Sequence, residues 1–243
     1  AYTVQADEET AQIGIEAELT VHAPGAWLDL TLNAPDGRVV WEKRRRIVEP
    51  FLREKIDLRR PQLWYPAGYG PQPLYRLHAV LDDGESAWEQ TMNVGIRTLL
   101  IRELPDEPGS AEEQMSLALR AVWQNGEDAD QHADDNTSSA GFTVVVNGVP
   151  IMAKGANWVP CEPFPSAETP KKQTELLTLA REGGANMLRV WGGGLFETAH
   201  FYDECDRLGL LVMQDHMMAC GNYPDDEAFL AAIRAEGEHI VRA

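Results

Sequence analysis

From Ile13 to Val21 the apolar residues Ile13, Ile15, Ala17, Leu19 and Val21 alternate with polar neighbours. A period of two marks a strand with one face turned to a core. Leu28, Leu30 and Leu32 repeat the pattern, and Pro35-Asp36-Gly37 then supplies a hairpin turn. Val39, Val40 and Trp41 open a strand that runs into the basic stretch Lys43 to Arg46, and residues 53–58 give another. Leu74 to Leu81 alternates again and ends at Asp82-Asp83-Gly84, after which Trp88 to Ile101 carries one or two more strands. About seven short strands in about a hundred residues predict an immunoglobulin-like β-sandwich over residues 1–102. It contains no cysteine, so it lacks the inter-sheet disulfide of antibody domains. The lead Ala1 to Thr10 is polar and acidic, with none of the features of a signal peptide.

One segment breaks the alternation. Leu63 to Tyr75 reads Leu-Trp-Tyr-Pro-Ala-Gly-Tyr-Gly-Pro-Gln-Pro-Leu-Tyr, too rich in Pro and Gly for a central strand. It is either a rigid loop packed on the sandwich edge or a brace for a neighbouring domain.

From Gly141 the period changes. Phe142 to Val146 is apolar, Asn147-Gly148 is a hairpin turn, and Val149 to Lys154 continues as the next strand, the first of a parallel set, with Asn157-Trp158 following it. Pro170 opens a helix with Leu176, Leu177, Leu179 and Ala180 on one face, closed by Gly183-Gly184. Met187 to Trp191 is a short buried strand that meets Gly192-Gly193-Gly194. Glu197 to Leu208 is a helix closed by Gly209, Leu210 to Met213 a strand ending at Gln214-Asp215, and Asp225 to Val241 a helix. Alternating strands and helices predict a parallel α/β sheet, whose chemistry gathers at the C-terminal strand ends. Three places therefore converge: Asn157-Trp158, Arg189 to Trp191, and Asp215.

Composition narrows the partners. With 39 acidic and 21 basic residues the formal charge is −18. Such a surface repels nucleic-acid phosphates and anionic membranes, and no run of about 18 apolar residues is present to span a bilayer. Half of that excess lies in residues 103–140, which hold ten acidic residues and one basic residue, Arg120. This stretch reads as an acidic insert or linker, with a short helix behind the capping box Ser110-x-x-Glu113. Glu127, Asp128, Asp130, Asp134 and Asp135 lack the ordered spacing of a calcium loop. Cys161, Cys205 and Cys220 are too scattered for a disulfide framework and favour a reducing, cytoplasmic setting. The six histidines show no zinc spacing, and no Gly-rich phosphate loop precedes a helix, so neither a metal nor another cofactor is expected.

At the strand ends, Trp191 before three glycines offers an exposed aromatic face suited to the C–H side of a sugar, although a buried core Trp would give the same pattern. Arg189, two residues earlier in a strand, points to the same side and needs an acidic partner, which Asp215 or Glu162 can supply. Glu162 and Asp215 are also the carboxylates that glycoside hydrolysis would require, but neither neighbourhood argues for a raised pKa, so neither is assigned as acid/base or nucleophile.

Several longer strings resemble one family. Val146 to Pro160 (Val-Asn-Gly-Val-Pro-Ile-Met-Ala-Lys-Gly-Ala-Asn-Trp-Val-Pro) resembles the barrel entry of glycoside hydrolase family 2. Asn186 to Gly194, Phe201 to Gly209, and Gln214-Asp215 with Ala219-Cys220 and Tyr223-Pro224 are similar to its β-mannosidase branch. Leu63 to Tyr75 and Gly95-Ile96-Arg97 resemble the sandwich of that family. The resemblance implies an exo-acting retaining hydrolase of terminal β-D-mannose, with β-mannoside oligosaccharides as substrate. It implies a sandwich followed by a (β/α)8 TIM barrel, whose first three βα units would occupy residues 141–243. It implies a sugar pocket with Trp191 as the ring in the mannose subsite, Arg189 and Asp215 on its floor, and Asn157 and Trp158 at its rim, and Glu162 is expected among the substrate-binding residues. Cys161-Glu162 stands where many members have Ala-Asp. The family's acid/base, the Glu of an Asn-Glu pair, and its nucleophile have no counterpart here and are expected beyond Ala243, so the chain reads as a fragment, inactive alone. A β-galactosidase or β-glucuronidase of the same family, and a non-catalytic carbohydrate-binding module, are the alternatives.

Overall fold

The computed structural model describes residues 1–19, 25–124 and 139–242. The chain divides into two compact units, Ala1–Thr98 with Ala153–Ala243, and Leu99–Met152.

The first unit begins with two antiparallel sheets. One has the order β1 (Tyr2–Ala6), β2 (Thr10–Glu18), β5 (Phe51–Arg59). The other has the order β4 (Val39–Arg46), β3 (Trp27–Asn33), β6 (Tyr75–Asp82), β7 (Ala87–Val94). Their inner faces share one core, in which Ile13, Leu30, Leu32 and Ile56 are almost fully enclosed. The alternating residues of the sequence thus face inward, as the pleat requires. β1 is an addition: none of its five side chains is buried, so no apolar row announces it.

β5 carries an exception to the apolar rule. Its inward row is Leu52, Glu54, Ile56 and Leu58, all buried. The Glu54 carboxylate accepts from Lys43 Nζ at 2.6 Å and from Arg45 Nη1 at 2.5 Å, both on β4. β4 and β5 are each the outer strand of their sheet. Charges turned inward at such edges oppose pairing with another chain.

The second unit is a small antiparallel sheet of β8 (Leu99–Pro105), β9 (Ser139–Val146) and β10 (Val149–Ile151), with α1 (Ala111–Gln124) between β8 and β9. Ser110 Oγ accepts from Glu113 N as a capping box requires, while the Glu113 carboxylate accepts from Gly109 N, one residue before the cap, and Ser110 N donates to the Glu107 carbonyl. The cluster from Glu127 to Asp135 lies outside the described residues. Asn147 and Gly148 both adopt positive φ, 50° and 78°, the conformation a two-residue hairpin turn demands.

That turn corrects the expected start of the parallel sheet. A two-residue loop returns the chain antiparallel, so β10 pairs with β9 and cannot be a parallel strand. The first parallel strand is β11 (Gly155–Trp158), and Asn157 and Trp158 lie within it rather than after it. Gly155 is needed there, because a Cβ would collide with the Met187 carbonyl.

Back in the first unit, β11, β12 (Met187–Val190) and β13 (Leu211–Gln214) form a parallel sheet in that order. α2 (Pro170–Glu182) links β11 to β12, α3 (Ala199–Leu208) links β12 to β13, and α4 (Glu227–Arg242) follows. Thr169 caps α2 by accepting from Lys172 N, with Pro170 at its first position. Leu188, Val190 and Val212 pack against Leu177, Phe201 and Cys205 on one face of the sheet.

The aromatic loop packs on the sandwich core and also reaches α3. Leu63 and Tyr65 pack on the sandwich core. Trp64 is wholly buried, and its Nε1 donates to the carbonyl of Asp206 in α3 at 2.7 Å. The Arg97 guanidinium stacks on the Trp64 ring at 4.4 Å and pairs with the Asp206 carboxylate at 3.2 Å. Ala67 N donates to the Gly209 carbonyl at 2.8 Å. Gly209 holds φ 78° against this loop, where a side chain would meet Ala67 N.

Candidate functional site

Parallel register decides which side chains meet. Asn157, Arg189 and Met213 stand level across β11, β12 and β13, and Trp158, Val190 and Gln214 form the next level. Successive residues of a strand face opposite ways. Trp158 and Val190 therefore point to the helices and are buried, whereas Asn157, Arg189 and Met213 share the other face and remain accessible.

On that face three predicted residues come together. Arg189 Nε donates to Asp215 Oδ1 at 3.1 Å, and its Nη2 lies 2.6 Å from Oδ2. Arg189 Nη1 donates to Asn157 Oδ1 at 3.2 Å. Asp215 Oδ2 also accepts from Gly192 N at 3.2 Å. The fork of guanidinium on carboxylate fixes both planes. Side-chain exposure is 42% for Arg189 and 24% for Asp215, so the pair keeps contact with solvent. Of the five guanidinium N–H groups, two have no partner among the described residues. They can donate to a hydroxyl-bearing ligand.

Trp191 follows at the end of β12, half-buried, and the three glycines explain its position. A Cβ at Gly192 would strike the His216 carbonyl, and one at Gly193 would enter the indole ring itself. Gly194 lies against Pro160. The loop thus passes directly beneath the ring and leaves part of it open.

Two predicted members lie elsewhere. Trp158 turns to the helix side, where its ring packs on Phe201 at 5.0 Å and its Nε1 donates to Glu197 Oε1 at 2.8 Å. Glu162 pairs with Lys172 of α2 rather than with Arg189. Asp215 is therefore the acidic partner of Arg189.

Sequence reasoning missed the polar chain behind the sheet. Gln173, buried in α2, donates through Nε2 to Glu168 at 2.7 Å and to Glu197 at 2.8 Å, and accepts from Thr198 Oγ1 at 3.2 Å. Burial raises the Glu197 carboxyl pKa, against the lowering effect of the Trp158 bond. Burial, aided by a bond to Glu168, pushes the Cys161 thiol up to about 11. A buried Trp needs an acceptor for its N–H, and that requirement is the signal that points to Glu197. At the strand end, Tyr202 donates to Gln214 Oε1 at 2.7 Å, and Gln214 Nε2 donates to the Asp215 carbonyl at 2.9 Å. Among the described residues no group of three His, Cys, Asp or Glu side chains is placed to hold a metal ion.

Comparison with known proteins gives this geometry a context. The sequence profile of the glycosyl hydrolases family 2 matches residues 2–97. A β-mannosidase B from Aspergillus terreus is 33% identical over 243 residues, which takes in 97% of this chain and 24% of that protein. The crystal structure of a β-D-mannosidase from Dictyoglomus thermophilum superposes with a TM-score of 0.76 at 32% identity, over 99% of this chain and 26% of that one. A β-glucuronidase from Bacteroides uniformis shares the fold, with a TM-score of 0.69 at 19% identity over 97% of this chain and 24% of its own. The chain spans about a quarter of the length of these proteins. Its family 2 profile lies over residues 2–97, and its likeness to the β-mannosidases runs over nearly all of its length.

Proposed function

From that likeness we propose that the chain supplies the sandwich and the first part of the sugar pocket of a retaining exo-β-mannosidase of glycoside hydrolase family 2. In this reading the sandwich, with three and four strands in its sheets, is immunoglobulin-like, and β11, β12 and β13 open a (β/α)8 barrel. The domains run 1–102 and 141–243, joined by the acidic stretch 103–140. The observation that carries the reading is the Asn157–Arg189–Asp215 cluster beside Trp191, at the C-terminal ends of parallel strands on the face away from α2 and α3. Catalytic groups of barrels gather at that end. Identity near one third with named β-mannosidases, against 19% for the β-glucuronidase, favours mannose.

The residues divide the work. The free N–H groups of Arg189 and the Asn157 amide bind sugar hydroxyls, and Asp215 holds the guanidinium flat against them. Trp191 carries the C–H face of the ring. Trp158, hydrogen-bonded to Glu197, stiffens β11 from behind and so fixes Asn157. Retaining hydrolysis needs a general acid/base and a nucleophilic carboxylate about 5–5.5 Å apart. No Asn-Glu pair occurs in these 243 residues, so this segment binds and orients while other parts of the enzyme cleave.

The test is turnover of an aryl β-mannoside by the complete polypeptide that carries this segment, with the anomeric outcome followed by NMR. Retention at mannose supports the reading. Preference for the aryl β-glucuronide transfers the activity to the other family 2 specificity, and turnover by residues 1–243 alone overturns the division of labour.

A further inference from the structure

Glu162 was left outside the Arg189 cluster, and its own surroundings form a second place for a ligand. An open depression of about 470 Å³ lies between the loop after β11 and the loop after β12. Pro160, Cys161, Glu162, Pro163, Gly193 and Gly194 line it. Its volume falls within the usual range for small-molecule sites, about 300–1,000 Å³. It adjoins Trp191 directly, because Gly193 lies under the indole ring and Gly194 rests on Pro160.

The charge arrangement is specific. Lys172 Nζ holds Glu162 Oε1, and Lys172 is itself fixed by the N-terminal cap of α2, where its N–H meets Thr169. Glu162 Oε2 has no partner among the described residues. Lys172 faces the Glu162 carboxylate and the nearby Glu168, so the depression has no excess positive charge to select a phosphate or a uronic acid. It offers one strong acceptor, a neutral thiol and the apolar rings of two prolines. That combination fits a neutral ring with hydroxyl groups on its edge and C–H groups on its face.

We propose that this depression is the subsite for a neutral sugar linked to the terminal mannose, with Glu162 accepting from its hydroxyls and Lys172 positioning Glu162. The proposal rests on the mannosidase reading. The ring stacked on Trp191 and the ring in the depression then belong to one β-linked disaccharide, and the glycine loop is the wall they share. Selectivity for a sugar over an aryl leaving group comes from Glu162, since an aryl ring has no hydroxyl to donate.

The experiment compares kcat/KM for a neutral β-mannosyl disaccharide and for an aryl β-mannoside, in the complete enzyme and in Glu162→Ala, Glu162→Gln, Lys172→Met and Lys172→Arg. A hydrogen bond to a charged acceptor is worth about tenfold or more in rate constant. Glu162→Ala is expected to lower the disaccharide value about tenfold while leaving the aryl value within about twofold. Glu162→Gln, which keeps the side-chain volume, falls between and covers the case in which the alanine variant does not fold. Lys172→Met reproduces part of the loss, and Lys172→Arg restores the ratio. Equal losses on both substrates, or an unchanged ratio, overturn the subsite and leave the mannosidase reading intact. Failure of the unaltered enzyme to cleave either substrate overturns both.

Discussion

Two carboxylates in this molecule are each held by more than one donor, and they differ in what is left over. Glu54 sits inside the sandwich with side-chain exposure of 5%, and Lys43 and Arg45 take one oxygen each. Asp215 sits at a strand end with Arg189 across both oxygens, and that arginine retains two N–H groups facing an open surface. The first pair is closed and serves the edge of a sheet. The second is rigid but unsaturated, which is what a ligand needs. A charged cluster becomes a candidate site through its remaining donors and acceptors, and its burial alone says little.

Four perturbations sharpen the contrast, taken from the largest effect to the smallest. Arg189→Met removes donors from the open pair and leaves Asp215 in contact with solvent. It should cost on the order of 3 kcal/mol in kcat/KM of the complete enzyme on an aryl β-mannoside, with the melting temperature little changed. A large drop in melting temperature with normal kinetics would reverse the two roles. Glu54→Ala should do the opposite, lowering the unfolding free energy by about 2–3 kcal/mol in urea titrations and leaving kcat/KM intact. The loss falls below the usual buried-pair figure because Lys43 and Arg45 are 42% and 41% exposed and can turn outward. Trp191→Ala should reduce transition-state binding by about 1–3 kcal/mol through lost ring contact. An unchanged kcat/KM would remove Trp191 from the site.

The smallest effect is electrostatic. Burial raises the Asp206 pKa, and Arg97 only partly offsets it. A carboxyl that holds its proton more tightly when folded adds stability at pH below its unfolded pKa, and this is lost as pH rises through the folded pKa. The unaltered protein should therefore gain stability relative to Asp206→Asn as pH falls from neutral toward the ordinary carboxylate range. Urea midpoints at several pH values check the sign, and a difference independent of pH would refute it.

Much of this was written in the sequence where one force acts alone. Alternation revealed β2, β3 and β6 because each has a single buried face. Asn147-Gly148 and the glycines after α2 and α3 marked turns through backbone sterics. The need of an inward arginine for a counter-charge narrowed the partner to Asp215 or Glu162, and the structure selects Asp215. What escaped depends on partners far along the chain. β1 buries no side chain and is recognisable only by its pairing with β2. Glu54 occupies an apolar row and is acceptable only because β4 brings two cations to it. Trp158 was misplaced because the strand begins later than expected, and in a strand the side-chain direction depends on the starting residue.

The bond from Trp64 to the last turn of α3 links residues 142 positions apart. A helix normally leaves its final carbonyls to water or to a local cap. Here a residue made long before α3 takes one of them, and the same loop accommodates Gly209. Contacts this distant form late, since a long loop must close first. Synthesis eases that cost, because N-terminal domains fold while the rest is still being made. The sandwich then stands ready as a mould on which the second helix of the parallel layer is finished. A change confined to the aromatic loop should therefore show itself first as slow maturation of the distant strand ends where Arg189 and Asp215 meet.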